Sequence, residues 1–349
     1  MSNTIGIKRY SLQGLEELLD SWGEPRYRAS QLFRWLYAEG ATSYDQMSNL
    51  PLSLRLRLAA EEPLSYPEVL KRQVSSDGTR KYLLKLSDGQ CIEAVGIPDR
   101  KRLTVCFSTQ AGCAMGCAFC TTGLGGLARS LTAGEMVDQL TVIFKDMQTR
   151  ITNAVAMGEG EPFANYDAVL TALRIMNSLD GLGIGARHLT VSTCGITRQI
   201  RRLAQEPEQF TLAVSLHSAV QSTRNLLMPS LTNQPLTSLK ESLLLYADKT
   251  GRRPSLEVTL IQGVNDTPQE VAALVDFARE MLCHVNLIRF NPMDHGVTST
   301  DSLSFRPSTQ TRCREIALLL QNAHIECTLR QSKGSDIQGA CGQLKGSDI

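Results

Sequence analysis

The sequence predicts an α/β protein: a partial (β/α)6 barrel of parallel strands, preceded by a small N-terminal helical domain and a short antiparallel β meander. Three observations predict it. From about residue 102 onward, strand-like apolar runs alternate with amphipathic helical segments six times. Residues 1–65 carry apolar side chains at helical spacing only. Between them lie two Asp-Gly turns, Asp77-Gly78 and Asp88-Gly89, each flanked by β-rich runs.

Taken in order, helices are expected over 12–23, 27–40 and 50–62, separated by Gly23-Glu24-Pro25, Gly40 and Pro51. The meander occupies 66–101. The core, 102–349, pairs strands at 102–109, 152–160, 188–195, 210–218, 255–264 and 284–293 with helices at 131–147, 166–178, 196–205, 236–248, 267–282 and 308–323. Strand–helix–strand repetition calls for right-handed crossovers in a parallel sheet. Six units are fewer than the eight of a closed barrel, so the barrel should stay open. A last strand, 324–332, leads into a tail in which Lys-Gly-Ser-Asp-Ile occurs at 333–337 and again at 345–349. Two copies do not make a repeat architecture.

The 349 residues suit one large core with a small appendage. Thirty-six basic residues against 35 acidic leave a net charge of +1, so bulk electrostatics recruit neither nucleic acid nor membrane. An RNA partner would need a local patch. Candidates are Arg26, Arg28, Arg34 and Trp35 in the helical region and Lys71, Arg72, Arg80 and Lys81 in the meander. Trp35 lies at helical spacing beside Leu32 and Leu36 and reads first as core. No apolar run is long enough for a membrane span, and the N-terminus reads as an amphipathic helix, not a secretion signal. A cytoplasmic protein is expected, where ten cysteines suggest metal or redox chemistry more than disulfides.

Three of those cysteines are chemically informative. Cys113, Cys117 and Cys120 share one short loop at the C-terminal end of the first parallel strand, the end where α/β folds gather ligands. Three thiolates can hold three irons of a cubane, leaving the fourth open to a substrate. A structural zinc site or an electron-transfer ferredoxin would each want a fourth ligand nearby. At the end of the second strand, Gly158-Glu159-Gly160-Glu161-Pro162 combines backbone close to a ligand with a carboxylate able to accept from an ammonium.

The spacing Cys113-x3-Cys117-x2-Cys120, with Phe119 before the last cysteine, resembles the radical S-adenosylmethionine (SAM) superfamily signature. That resemblance implies one [4Fe–4S] cluster per chain, SAM chelated by its open iron, and one-electron cleavage of SAM to a 5′-deoxyadenosyl radical. Over nine tenths of its length, the chain resembles the RlmN/Cfr family of radical-SAM rRNA adenine methyltransferases. The residues carrying this are Ile92-Glu93-Ala94-Val95, the cysteine loop, Gly160-Glu161-Pro162, 191–195, Ser215-Leu216-His217-Ser218, Asn291-Pro292-Met293 and 336–344, ending in Ala340-Cys341-Gly342-Gln343-Leu344.

The resemblance implies that SAM methylates Cys341 and that a second SAM generates the radical that activates the S-methyl group. The activated carbon would then add to an adenine of RNA. Cys106 would resolve the adduct by forming a transient disulfide with Cys341, and Glu93 would accept the proton. Gly160, Glu161, Ser192, Ser215, Leu216, His217 and Asn291 would line the SAM pocket. The expected reaction is methylation at C2 of adenosine 2503 of 23S rRNA, with tRNA adenosine 37 as a second substrate, by a monomer served by a flavodoxin- or ferredoxin-type electron donor. Cfr-type methylation at C8 is the nearest rival; Pro162 favours C2. A non-catalytic Fe–S carrier and a zinc-bound RNA-binding module are rivals of other classes. Glu159 departs from the family, which has an apolar residue before the Gly-Glu pair; it should alter only local polarity at the SAM contact. Cys91, Cys194, Cys283, Cys313 and Cys327 read as structural, the last-but-two and last-but-one of these within helical patterns.

Overall fold

The computed structural model describes residues 6–292 and 305–345. A 3-10 turn at Ile7–Arg9 leads into α1 (Leu12–Ser21), α2 (Tyr27–Tyr37) and α3 (Leu52–Glu61). The Ser11 hydroxyl caps α1 by accepting from the Gly14 N–H at 3.1 Å. Leu15, Leu19, Leu32, Leu36, Leu54 and Leu58, the apolar faces of these helices, are fully buried. A buried ion pair, Lys8–Asp138, ties this region to the first barrel helix.

The meander is β1 (Glu68–Val74), β2 (Arg80–Lys85) and β3 (Cys91–Asp99), paired antiparallel. Its two turns place Gly78 and Gly89 at φ 85° and 88°, the left-handed region that Asp-Gly turns demand. β3 then pairs antiparallel with β4 (Arg102–Cys106), so the meander extends the barrel sheet directly.

After β4 the chain forms β5 (Gln110–Gly112), α4 (Thr121–Leu124) and β6 (Leu127–Ser130), where β5 and β6 make a separate two-stranded sheet. The sequence reading placed the cysteine loop directly after the first parallel strand. Instead the loop is the connection of a hairpin, held at its base by Gln110 Nε2 donating to Ser130 Oγ at 3.1 Å. Alternation follows: α5 (Ala133–Met147), β7 (Asn153–Ala156), α6 (Tyr166–Asn177), β8 (Leu189–Thr193), α7 (Thr197–Leu203), β9 (Thr211–Ser215), α8 (Gln221–Leu227), α9 (Leu236–Thr250), β10 (Ser255–Leu260), α10 (Pro268–Ala278), β11 (His284–Arg289), α11 (Gln310–Asn322) and β12 (Cys327–Arg330). All six expected units are present. α8 was not expected; it lies in the connection between β9 and α9. Cys283 precedes β11 in a loop, not in a helix, while Cys313 lies in α11 as expected.

The ten-stranded sheet runs β1-β2-β3-β4-β7-β8-β9-β10-β11-β12. From β4 onward every pair is parallel, and strands covered on both faces read as nearly continuous apolar runs. One hydrophobic cluster extends from Ile7 through the barrel to Ile325. The edges are β1 and β12. Beyond β12 the tail crosses from one edge to the other: the Gly334 N–H donates to Asp77 Oδ2 at 3.1 Å, and Ser75 Oγ donates to Asp336 Oδ1 at 2.6 Å. The first Lys-Gly-Ser-Asp-Ile copy thus anchors the tail on the β1–β2 turn; of the second, only Lys345 lies within the described residues, and Met293 lies outside them.

Candidate functional site: a cysteine-lined barrel mouth

Cys113 follows β5 directly, and Cys120 begins the turn into α4. The three thiols of the loop lie close enough for Cys117 to feel both Cys113 and Cys120. Burial raises the Cys117 thiol and pushes that of Cys113 up to about 11, while the Met115 amide favours the Cys113 thiolate. Thiols that are hard to ionise alone, grouped on one loop and backed by an amide, suit a polycationic iron–sulfur body that supplies the missing positive charge. Among the described residues, no three His, Cys, Asp or Glu side chains converge as a single-ion site requires. The spacing Cys113-x3-Cys117-x2-Cys120 offers three thiolates to a cubane cluster with one open corner.

The tail brings a fourth sulfur here. Cys341 feels the charge of Cys120, and Cys106, at the end of β4, feels that of Cys341. Burial raises both thiols; Cys106 is sealed with Val95 and Leu344 in a small apolar cluster. Cys106 is buried, whereas Cys341 is exposed. Arg330 opposes the effect of burial on its thiol, and Glu257 adds to it. Both cysteines are free thiols.

Docking of this tail is specific. The Thr121 N–H donates to the Gly342 carbonyl at 2.8 Å, and Thr122 Oγ1 to the Leu344 carbonyl at 2.7 Å. Asn291 Nδ2 donates to the Cys341 carbonyl at 3.3 Å, and Gln343 Nε2 to the Pro292 carbonyl at 2.9 Å. The Lys345 N–H donates to Glu93 Oε2 at 2.8 Å. Asn291, expected at the SAM pocket, also meets the cysteine-bearing tail. Glu93 is buried, and its Oε1 meets Lys81 Nζ at 2.9 Å. Lys81 was a candidate RNA-facing cation; the structure instead buries it, because β2–β3 register sets it diagonal to Glu93 on one face. Arg72 and Arg80 are likewise committed, both to Asp146. Trp35 is partly buried against the core, with Nε1 donating to Asn49 Oδ1 at 2.6 Å.

Glu161 is buried, and its carboxylate accepts from the Phe163 N–H at 2.9 Å and the Cys194 N–H at 2.7 Å, so it joins the ends of β7 and β8. Gly160 stands at φ 98° with its α-carbon against Gln110; an added Cβ would lie 2.5 Å from Gln110 Cβ. Glu159 does more than set polarity. It accepts from the Glu93 N–H at 2.7 Å and the Gly112 N–H at 3.3 Å, clamping β3 to the residue before Cys113. Burial pushes its carboxyl up to about 8 despite those two donors. Sequence reasoning missed this clamp; its one signal was a carboxylate where an apolar side chain is usual.

Ser192 lies on β8, and Ser215, Leu216 and His217 run off the end of β9. Leu216 and His217 both donate backbone N–H groups to the Glu257 carbonyl at 3.0 Å. His217 sits at φ 56°, its ring 4.4 Å from that of Phe119 in the cysteine loop. Burial, aided by Arg224, lowers its imidazole to about 3, so the ring is neutral. The Thr259 N–H donates to Nδ1 at 3.1 Å, which assigns the proton to Nε2.

Comparison with known proteins agrees with this geometry. Residues 5–62 match the ribosomal RNA large subunit methyltransferase N-terminal domain, and residues 107–279 match the radical SAM superfamily. A probable dual-specificity RNA methyltransferase RlmN of Thermoanaerobacter sp. is 42% identical over 340 residues, 97% of each chain. The chain belongs to the RlmN family of radical SAM methyltransferases. A probable RlmN of Pelotomaculum thermopropionicum is 43% identical, covering 99% of this chain and 92% of its own. The crystal structure of a radical SAM methyltransferase from Sphaerobacter thermophilus superposes with a TM-score of 0.91 at 41% identity, covering 98% of this chain and 99% of that one. Radical SAM methyltransferases of this family use a [4Fe–4S] cluster and SAM. Among the described residues, no helix is long and apolar enough to cross a membrane.

Proposed function

We propose that this chain methylates C2 of an adenine in RNA, adenosine 2503 of 23S rRNA with tRNA adenosine 37 as a second substrate, through an S-methylcysteine at Cys341. The observation that carries the reading is the docked tail, which sets Cys341 between the cysteine loop and Cys106. Cys113, Cys117 and Cys120 would hold the cluster. Gly160, Glu161, Ser192, Ser215, Leu216, His217 and Asn291 would bound the SAM pocket, Asn291 also holding the Cys341 carbonyl. When bound, cluster and SAM supply the methyl group and the hydrogen-abstracting radical.

The chain's own residues do the rest. Cys341 accepts the methyl group and presents its carbon to the flipped-out base. Glu93, held on Lys81 and on the tail amide, takes the proton from the substituted ring carbon as the adduct radical gives up its one unpaired electron, for which the cluster, when bound, would be the acceptor. Cys106 then attacks the Cys341 sulfur: the S–S bond forms as the bond from that sulfur to the base's new methylene breaks, and the released carbon takes up a proton. An external one-electron donor of the flavodoxin or ferredoxin type, and a thiol reductant for the disulfide, complete the cycle. The helical region, 1–65, with exposed Arg26 and Arg34, would grip RNA beside the meander, 66–101, leaving 102–349 as catalytic core. A cytoplasmic monomer fits this role.

Anaerobic reaction with labelled SAM and unmodified 23S rRNA fragments should yield 2-methyladenosine. Recovery of 8-methyladenosine alone would replace this assignment by the Cfr-type reaction. Cys341→Ala should still cleave SAM but transfer no methyl group; transfer by that variant would exclude the S-methylcysteine route.

A further inference from the structure

Arg224, on α8, is buried and forms no ion pair among the described residues. Its Nη1 donates to the Ser215 carbonyl at 2.9 Å, to the Leu216 carbonyl and to Met228 Sδ at 3.5 Å. Its Nη2 donates to the Cys194 carbonyl at 2.5 Å. The guanidinium is therefore fastened to the C-terminal ends of β8 and β9, at the mouth of the barrel. A buried cation that meets only carbonyls and a thioether is destabilising unless an anion faces it.

The groups whose charge it feels are sulfurs, Cys194 and Cys117. α8 is itself tied to the cysteine loop: the Ala118 N–H donates to the Leu227 carbonyl at 2.9 Å, and Ser230 Oγ to the Ala114 carbonyl at 3.4 Å. Because the terminal nitrogens already donate to protein acceptors, Arg224 is arranged to project charge, not to ligate a substrate. Carbonyls on Nη1 and Nη2 hold that charge in one place.

We propose that Arg224 is a built-in counter-charge for the thiolates of the Cys113–Cys120 loop and the iron–sulfur centre they hold, favouring that centre's reduced state. The inference rests on the reading of those cysteines as cluster ligands. Reduction adds one negative charge, and a fixed buried cation beside the loop stabilises the product more than the reactant. α8, the element that the strand–helix pattern did not predict, exists in part to carry this charge under the loop.

The test compares Arg224→Gln, which keeps hydrogen bonding to the carbonyls without charge, with Arg224→Lys, which keeps charge. Each is purified anaerobically with its cluster, checked for fold by circular dichroism and for iron and sulfide content, and titrated for midpoint potential by electron paramagnetic resonance. Arg224→Gln should lose about tenfold in the reduction equilibrium, a shift of about 59 mV to more negative potential for one electron. Arg224→Lys should stay within about twofold of the unmodified protein. Should Arg224→Gln fold but fail to retain iron while Arg224→Lys retains it, the same dependence on charge is read as loading. An unchanged potential in Arg224→Gln, equal shifts in both variants, or loss of iron from both overturns the proposal. An unmodified protein without a [4Fe–4S] spectrum would instead overturn the assignment of the three cysteines.

Discussion

Replacing Lys81 by Met removes the cation that Glu93 meets at 2.9 Å, in a pair whose side chains are only 8% and 9% exposed. A carboxylate left in such a place without its partner typically destabilises a fold by about 3–5 kcal/mol. Here Glu93 keeps, among the described residues, the Lys345 amide as a donor, which offsets a part. The expected loss is about 3 kcal/mol. Replacing Glu93 by Gln strands Lys81 and should do comparable harm. Removing both charges leaves neither stranded, so the double variant should be less unstable than the sum by about 2 kcal/mol. The assay is anaerobic urea unfolding followed by circular dichroism, for all four corners of the cycle. Since Glu93 also receives the tail amide, Lys81→Met should make the tail beyond β12 more sensitive to limited proteolysis. A loss below about 1 kcal/mol for Lys81→Met, or additive single losses, would refute the reasoning that this buried pair organises the site.

Other changes probe separate parts of the mouth. Cys106→Ala should allow the covalent protein–RNA species to form but not to resolve, so a crosslinked band should accumulate on denaturing gels; normal turnover would remove Cys106 from the resolving step. Gly160→Ala forces a Cβ to within 2.5 Å of Gln110 Cβ at a φ of 98°, and should lower stability by about 2–4 kcal/mol and weaken SAM binding; an unchanged unfolding midpoint would contradict the close approach. His217 is neutral when folded, with its imidazole lowered to about 3 from 6.5. Its depressed value means that the stability it confers is complete above pH 6.5 and is lost as pH falls toward 3, by up to about 1.4 kcal/mol per pH unit. His217→Asn tolerates the positive φ and removes that slope; parallel stability curves of the cluster-free proteins between pH 7 and 4 would show that His217 does not titrate in this way.

Much of the barrel was legible because its signals are local. Apolar runs such as those of β7 to β11 are bounded by turns and followed by amphipathic helices, and period alone separates the two states. Asp-Gly pairs announced the meander turns. The pair β5–β6 and helix α8 were not legible: the strands, Gln110-Ala111-Gly112 and Leu127-Ala128-Arg129-Ser130, carry no run of β-formers, and α8 has apolar side chains only at Leu226 and Leu227, so no period shows. The cysteine loop was visible by spacing. Cys106, Cys341 and Glu93 gained meaning only from resemblance to a family, since each alone is an ordinary core or strand residue.

What the sequence determined by itself is therefore what depends on neighbours along the chain: the strand–helix alternation, the turns, the trio of thiols, the apolar faces of the helices. Tertiary structure alone decided which distant groups meet. Lys81 became a buried partner of Glu93, not a surface cation. Glu159 became a clamp between β3 and the cysteine loop. Arg224 came to lie under that loop, and the tail crossed from β12 to the β1–β2 turn to bring Cys341 between Cys120 and Cys106. The physical reason is that propensity and periodicity act over a few residues. The energy of a buried charge or thiol is set instead by whatever the fold packs against it, and for Glu93 that includes a backbone amide 252 residues away.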